Sequence, residues 1–553
     1  MDADHIMQLH QFQLRLQHGK QDMQDTSPDH ASHEHVDRLD TPLHVACKAG
    51  HLDSVQQALI DEDVNSRGLH GRTAVMEAAR RGLREMFYLL LNKGGDLSLV
   101  DDNGNNILHM ACLGGDVEIV KHVLSQDILD INSRGQYGRT AVMFAAEKGH
   151  CEVFDILVSH GGDVSIVDGS SNSILHVACI GGNVDMVKYV LSQNLVDINS
   201  GGQYGRTPLM SAVGRGCRDV FDLLVSSGGD VSLVDSSSNT ILHLACIGGH
   251  VDMVKYVLSL DVVDINVRGQ YGRTPLMSAA WRGHRKVFDF LVSKGGDASV
   301  VDDDGNNILH LACIGAQVEM VKYILSQDVV DTNSRGQFGR TPLMIAAEKG
   351  YRVVFDLLVD RGGDVSVVDD DGNNILHVAC IGGHLEMVKY VLSHDPMEIR
   401  SRGQYGRTPV LLAAEKGHRD VFDLLVSKGD DVSSTDDDGN NILHMACIGG
   451  QVDMVQYVLS LNIVDINSKG QHGRTPVMFA AEKGHMDVFD LLVREKADAS
   501  LVDDDSNNIF HVACIGGQAE MVKHVLAQNI VDIPMDPRRA HLYVNPRKRS
   551  VCF

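Results

Sequence analysis

The hydrophobic positions of this chain fall into short stripes that return at fixed distances. Leu209, Met210, Ala212 and Val213 form an apolar run that stops near Gly216, and Val220, Phe221, Leu224 and Val225 then recur on one helical face up to the pair Gly228 and Gly229. The pattern predicts two short helices joined by a tight turn, the second over about Asp219 to Ser226. Polar residues punctuate it. Thr207 is a preferred N-cap, Pro208 suits a first helical position because it has no N–H to lose, and Gly228 suits a left-handed C-terminal cap.

The signature repeats along the chain. The triplet Gly-Arg-Thr begins at Gly71, Gly138, Gly205, Gly272, Gly339, Gly406 and Gly473, always 67 residues apart, and a second series ending in His begins at Ile107, Ile174, Ile241, Ile308, Ile375, Ile442 and Ile509 with the same interval. The two series interleave: Thr73 to Asn106 is 33 residues and Asn106 to Thr140 is 34. The residues before the second triplets, Asn106, Ser173, Thr240, Asn307, Asn374, Asn441 and Asn508, are all preferred N-cap types, so the helix start survives the change of sequence. Self-similarity at this period predicts a solenoid in which each unit buries its apolar faces only against its neighbours.

Thr41-Pro42-Leu43-His44-Val45-Ala46, a Gly after the first helix and a Leu-rich second helix resemble the ankyrin repeat, and fifteen copies cover about residues 38–533. The resemblance implies an all-α ankyrin-repeat solenoid, helix-loop-helix plus a protruding finger per repeat, stacked into a curved superhelical array. A polar segment, 1–37, with a short helix expected over Met7–Gln17, precedes it, and a basic tail, 534–553, follows. The chain departs from the pattern where Met76, Met143, Met210, Met277 and Met344 replace the repeat's histidine, which puts that position's usual hydrogen bonds in doubt. Ala316, Lys496 and Ala497 stand for turn glycines, and Pro396 interrupts one loop.

Charge and composition narrow the function. A net charge of -25 repels phosphates, so no nucleic acid is expected on the array. No apolar run approaches the roughly 18 to 20 residues that cross a bilayer, and residues 1–20 lack a signal-peptide core, so membrane insertion is not expected and the setting is read as cytoplasmic. Arg538, Arg539, Arg547, Lys548 and Arg549 make the tail a candidate nuclear-import signal. Cys47, Cys112, Cys179, Cys246, Cys313, Cys380, Cys447 and Cys514 recur in one context too far apart to pair, which predicts buried free thiols.

Recurrent His and Cys three residues apart, as in His176 and Cys179, could share a helical face, but a zinc site needs four ligands and the next pair lies two repeats away. The triplets starting at Asp302, Asp369, Asp436 and Asp503 miss the calcium-loop spacing, because Gly305 falls fourth rather than sixth. There is no phosphate loop and no nucleophile elbow. The expectation is therefore no metal, no cofactor and no catalysis.

The fingers carry the sharper signal. Those before the Gly-Arg-Thr repeats read like Ser-Arg-Gly-Gln-Tyr-Gly-Arg, with Arg134 and Gln136 exposed in the finger before Gly138; the candidate partner-binding pairs are Tyr137 with Arg139, Tyr204 with Arg206, Tyr271 with Arg273, Phe338 with Arg340 and Tyr405 with Arg407, and His472 fills the same slot later. Aromatic and Arg side chains at exposed tips are what binding hot spots use. The intervening fingers are acidic except in the middle, where they become Gly169-Ser170-Ser171 and Ser236-Ser237-Ser238, and bracing of one finger by the next is the competing reading. Asn199, Asn266 and Asn467, in Val-Asp-Ile-Asn loops, are similar to the ankyrin sites modified by the asparaginyl hydroxylase that acts on hypoxia-inducible factor, against a purely structural role in the turn. The function implied by the resemblance is a protein-binding scaffold or adaptor. The alternative is a non-catalytic regulatory subunit of an enzyme such as a protein phosphatase or ubiquitin ligase.

Overall fold

The computed structural model describes residues 39–193, 196–394 and 399–528. The helix expected over Met7–Gln17, Pro396 and the basic tail lie outside the described residues. Among the described residues there are thirty α-helices, seven short 3-10 turns and no strand, so the protein is all-α. The chain divides into two compact units, Met1–Ser170 and Ser171–Phe553. The first contains four helix pairs, from Pro42–Ala49 to Cys151–Ser159, and the second eleven, from Ile174–Gly181 to Ala519–Gln528.

A Gly-Arg-Thr repeat shows how the sequence builds a pair. Thr207 is extended (φ -81, ψ 164) and its hydroxyl accepts the Met210 N–H at 3.3 Å, with Pro208 opening the helix Pro208–Gly214. Gly216 turns the chain at φ 73, the second helix runs Arg218–Ser226, and Gly228 closes it at φ 100. Leu209, Met210, Ala212, Val213, Val220, Phe221 and Leu224 are buried. Fully burying a side chain such as Phe221 contributes about 1.5–3 kcal/mol. Its neighbours provide that burial. First helices pack on first helices, as Pro208–Gly214 on Ile241–Gly248 and Ile241–Gly248 on Pro275–Arg282, and second helices on second helices, as Val184–Ser192 on Arg218–Ser226.

In the alternate repeats the buried histidine joins one repeat to the next. The Thr240 N–H donates to His243 Nδ1 at 3.2 Å, so the proton sits on Nε2, which donates to the Arg273 carbonyl of the following finger at 3.0 Å. His176, His310 and His377 reach the Arg206, Arg340 and Arg407 carbonyls in the same way. Where methionine replaces histidine this bridge is absent. Met210 Sδ accepts the Thr207 N–H at 3.4 Å, and the buried hydroxyls of Thr140 and Thr475 have no hydrogen-bond partner.

Candidate interaction surface

Each Gly-Arg-Thr finger is a closed loop. Gly202 donates to the Arg206 carbonyl at 2.8 Å and Gly205 to the Gly202 carbonyl at 2.9 Å. At the tip, the aromatic slot takes a left-handed backbone: φ is 58 at Tyr137, 55 at Tyr204, 56 at Tyr271, 58 at Phe338 and 55 at Tyr405. That conformation is uncommon for a bulky residue and persists only where the surroundings impose it. Here the next finger imposes it, because the tip carbonyl accepts an N–H from that finger: Gly169 to Tyr137 at 2.7 Å, Ser236 to Tyr204 at 2.7 Å, Asp303 to Tyr271 at 2.9 Å, Asp370 to Phe338 at 2.9 Å and Asp437 to Tyr405 at 2.8 Å.

The rings and the arginines part company. Tyr137 and Tyr405 are exposed, and Tyr204, Tyr271 and Phe338 are half-buried. The Arg side chains, expected at exposed tips, fold back instead. Arg139, Arg340 and Arg407 keep only 12%, 12% and 11% of their side-chain surface, because each pairs with a buried carboxylate of the next finger, Asp168, Asp369 or Asp436, and with Glu147, Glu348 or Glu415 of its own helix. Arg206 and Arg273 pair with Asp235 at 3.4 Å and Asp302 at 3.3 Å. Each guanidinium also lies 5.2 to 5.8 Å from the ring two residues earlier. Such a side chain is long enough to return to its own base, and the buried Asp it meets there was read from sequence only as a member of an acidic loop.

That Asp is the hub of the intervening finger. Asp302 accepts the Asp304 and Asn306 N–H groups at 3.0 and 2.8 Å, while Asn306 accepts the Gln337 N–H of the following finger at 3.1 Å. Arg268, Arg335 and Arg402, the equivalents of Arg134, reach Asp303, Asp370 and Asp437 at 3.2, 3.1 and 3.0 Å. Finger-to-finger bracing thus recurs at the fingers of Tyr271, Phe338 and Tyr405.

Asn199, Asn266 and Asn467 form a second set of braces. Their side-chain oxygens accept N–H groups from Asp230, Asp297 and Asp498 at 2.9, 2.9 and 2.8 Å. These bonds join neighbouring repeats, whereas the sequence suggested only local turn bonds. The second-helix row holds a group the sequence reading missed. Arg218 lies 3.9 Å over the Tyr256 ring while the Tyr256 hydroxyl donates to Asp222 at 2.5 Å, and Arg419, Tyr457 and Asp423 repeat the arrangement at 3.9 and 2.5 Å. The 67-residue recurrence of Arg at the second-helix start and Tyr in the following repeat was the available signal.

With this geometry in view, comparison with known proteins is decisive. The family model for ankyrin repeats (3 copies) matches at 12–101, 75–168, 160–235, 222–302, 289–369, 353–436 and 421–503. The chain belongs to the ankyrin-repeat family. Among similar proteins, the human transient receptor potential cation channel subfamily A member 1 is 25% identical over 76% of this chain and 42% of its own length. The E3 ubiquitin-protein ligase KEG of Arabidopsis thaliana is 25% identical over 67% of this chain and 24% of its own. The ankyrin repeat and KH domain-containing protein mask-1 of Caenorhabditis elegans is 27% identical over 53% and 11%. The chain therefore spans less than half of each of these relatives. Ankyrin repeats support a role in protein interaction, and among the described residues no helix is long and apolar enough to cross a membrane.

Proposed function

We propose that this ankyrin-repeat chain is a scaffold or adaptor that binds partner proteins through its aromatic finger tips and the adjoining face of its first helices, contributing no chemistry of its own. The observation that carries the reading is a set of aromatic side chains at 67-residue intervals, each fixed in a left-handed turn by a main-chain bond from the next finger. Anchors held in place before binding lose little entropy on association. A reducing, cytoplasmic setting belongs to the reading and suits the recurrent buried thiols, of which Cys47 is pushed up to about 12 by burial.

The test uses the full chain and a Tyr204→Ala, Tyr271→Ala, Phe338→Ala variant as parallel baits in cell lysate. Aromatic anchors can be worth about 2 kcal/mol each, so partners retained by the parent should be lost with Tm nearly unchanged. Unfolding of the variant, with binding intact in the fraction that stays folded, would assign the rings to bracing and move recognition to the first helices. The second reading, a regulatory subunit of an enzyme, draws on the E3 ubiquitin-protein ligase named among the relatives; enzyme activity in captured material, changed on adding the purified chain, would favour it.

A further inference from the structure

The first described helix pair, Pro42–Ala49 with Leu52–Ala58, packs against Ala74–Arg80 on one side, and no described residue precedes Leu39 on the other. That other side is apolar where its sisters are covered. Val45 is 56% exposed, whereas its register equivalents Met110, Leu244, Leu311 and Val378 keep 0%, 3%, 0% and 0%. Each of those four lies on a helix packed against the first helix of the preceding repeat, Ala74–Arg80, Pro208–Gly214, Pro275–Arg282 or Pro342–Lys349. Pro42 is exposed in the same way, where Ile107 and Ile241 are buried. Pro42, Val45, Ala46, Ala49 and Ala58 line one groove, and Asp53 and Asp61 stand exposed at its edge.

The chain carries a segment that matches this groove. Ile6, Leu9, Phe12 and Leu16 recur at intervals of three, three and four residues, a single stripe at helical period, with Gln11, Leu14 and His18 on the opposite side. From His5 to Lys20 the sequence holds the cations Arg15 and Lys20 and no carboxylate. The groove is the reverse: it is lined by Asp40, Asp53, Asp61 and Glu62, with no Lys or Arg among its lining residues. Lys48 pairs with Asp40, and Glu62 accepts the Leu43 N–H at 3.2 Å. The match to the ankyrin-repeat model begins at residue 12, ahead of Leu39, so the family's pattern continues into this segment. Residues 17–38 lie between, and a chain of that length reaches up to about 70 Å, far beyond the about 8–10 Å that separates packed helices.

We propose that the groove of Pro42, Val45 and Ala49 is the docking site for residues 6–16 of this same chain. The stripe of Ile6, Leu9, Phe12 and Leu16 covers Val45 as the preceding repeat covers Met110 and Leu311 in theirs. Removing both apolar surfaces from water drives the contact, and Arg15 and Lys20 opposite Asp53 and Asp61 set its direction. A terminal repeat of a solenoid needs a polar outer face, which Gln11 and His18 supply. Its own segment is favoured over a second copy because the connection holds it at an effective concentration on the order of millimolar. This goes beyond the interaction reading above and does not depend on it.

The test uses the full-length protein with the photo-reactive amino acid p-benzoylphenylalanine in place of Phe12, irradiated over a range of protein concentrations. The expected product is a cross-link within one chain, from position 12 to Pro42–Ala49 or Leu52–Ala58, in a yield independent of concentration. The same group in place of Leu14, on the opposite side of the stripe, should not label that pair. Val45→Asp, a change at a position already exposed, should leave the array folded and lower the Phe12-site yield by about tenfold or more. Independently, the double variant Leu9→Asp, Leu16→Asp should quicken amide exchange in Pro42–Ala49 by about tenfold or more and leave Ile308–Ile314 unchanged. Cross-links between two chains that grow with concentration would make the groove a contact between copies. Cross-links from position 12 to another part of the array, or exchange in Pro42–Ala49 unaltered by the double variant, would place the segment elsewhere. Each of these results overturns the proposal.

Discussion

Ala316 holds φ 57 where the sister repeats place Gly249 and Gly383. A Cβ in the left-handed region costs about 1–2 kcal/mol, and glycine returns part of that gain as unfolded-state entropy. Ala316→Gly should therefore stabilise the protein by about 1 kcal/mol, seen as a higher urea midpoint at constant slope; a lower midpoint would mean that the alanine methyl contributes packing that outweighs the strain. The buried histidines make a prediction about pH. Burial holds His310 and His444 down to about 4 and pushes His109, His243 and His377 in the same direction. Below the unfolded value near 6.5, the unfolded chain takes up protons that the folded chain refuses. Stability is then complete above that pH and falls as pH drops towards about 4, by about 1.4 kcal/mol per pH unit for each of His310 and His444. Glu77, held down to about 2 by Arg80 and Arg81 against its burial, loses its stabilising effect only at lower pH. Denaturant midpoints should fall between about pH 7 and pH 5, and equal midpoints would contradict the assigned neutral, doubly bonded imidazoles.

At the scale of the element, the finger is held by a few polar bonds to its neighbours. Asn306 is 2% exposed, donates its N–H to Asp302 and accepts the Gln337 N–H. Asn306→Ala should cost about 1–3 kcal/mol, the penalty for stranding buried polar groups. Amide exchange should quicken around Gln337 and stay unchanged at the finger of Gln404, which depends on Asn373; exchange that quickens throughout would show that fingers act collectively. Helix pairs and their caps were legible in the sequence because their signals are local, as with Thr207, Pro208 and Gly228 within a single repeat. The destination of Arg206 was not. Its partner Asp235 lies 29 residues away and becomes a neighbour only through the stacking of repeats. The same holds for Tyr256, whose partner Asp222 is 34 residues away. The left-handed backbone at Tyr204 was hidden for a similar reason, since a bond from Ser236 of the following finger helps hold it.

At the scale of the molecule, the same structural steps recur every 67 residues, and within each of the two units the described repeats lean on the ones beside them. Stability within a unit should then be approximately a sum of repeat and nearest-neighbour interface contributions. Departures from the register do not break this scheme: Gly214 and Trp281 occupy helices of the same length class and register as their sisters. Function on this account resides in what varies over a constant frame. The most direct test is to delete Gly205–Tyr271, which joins Tyr204 to Gly272 and regenerates the Gln-Tyr-Gly-Arg finger. Helical circular dichroism per residue should remain unchanged and unfolding should stay cooperative, with Tm lowered only modestly. A shortened chain with collapsed helical signal, or one that no longer unfolds cooperatively, would contradict an array held together neighbour by neighbour.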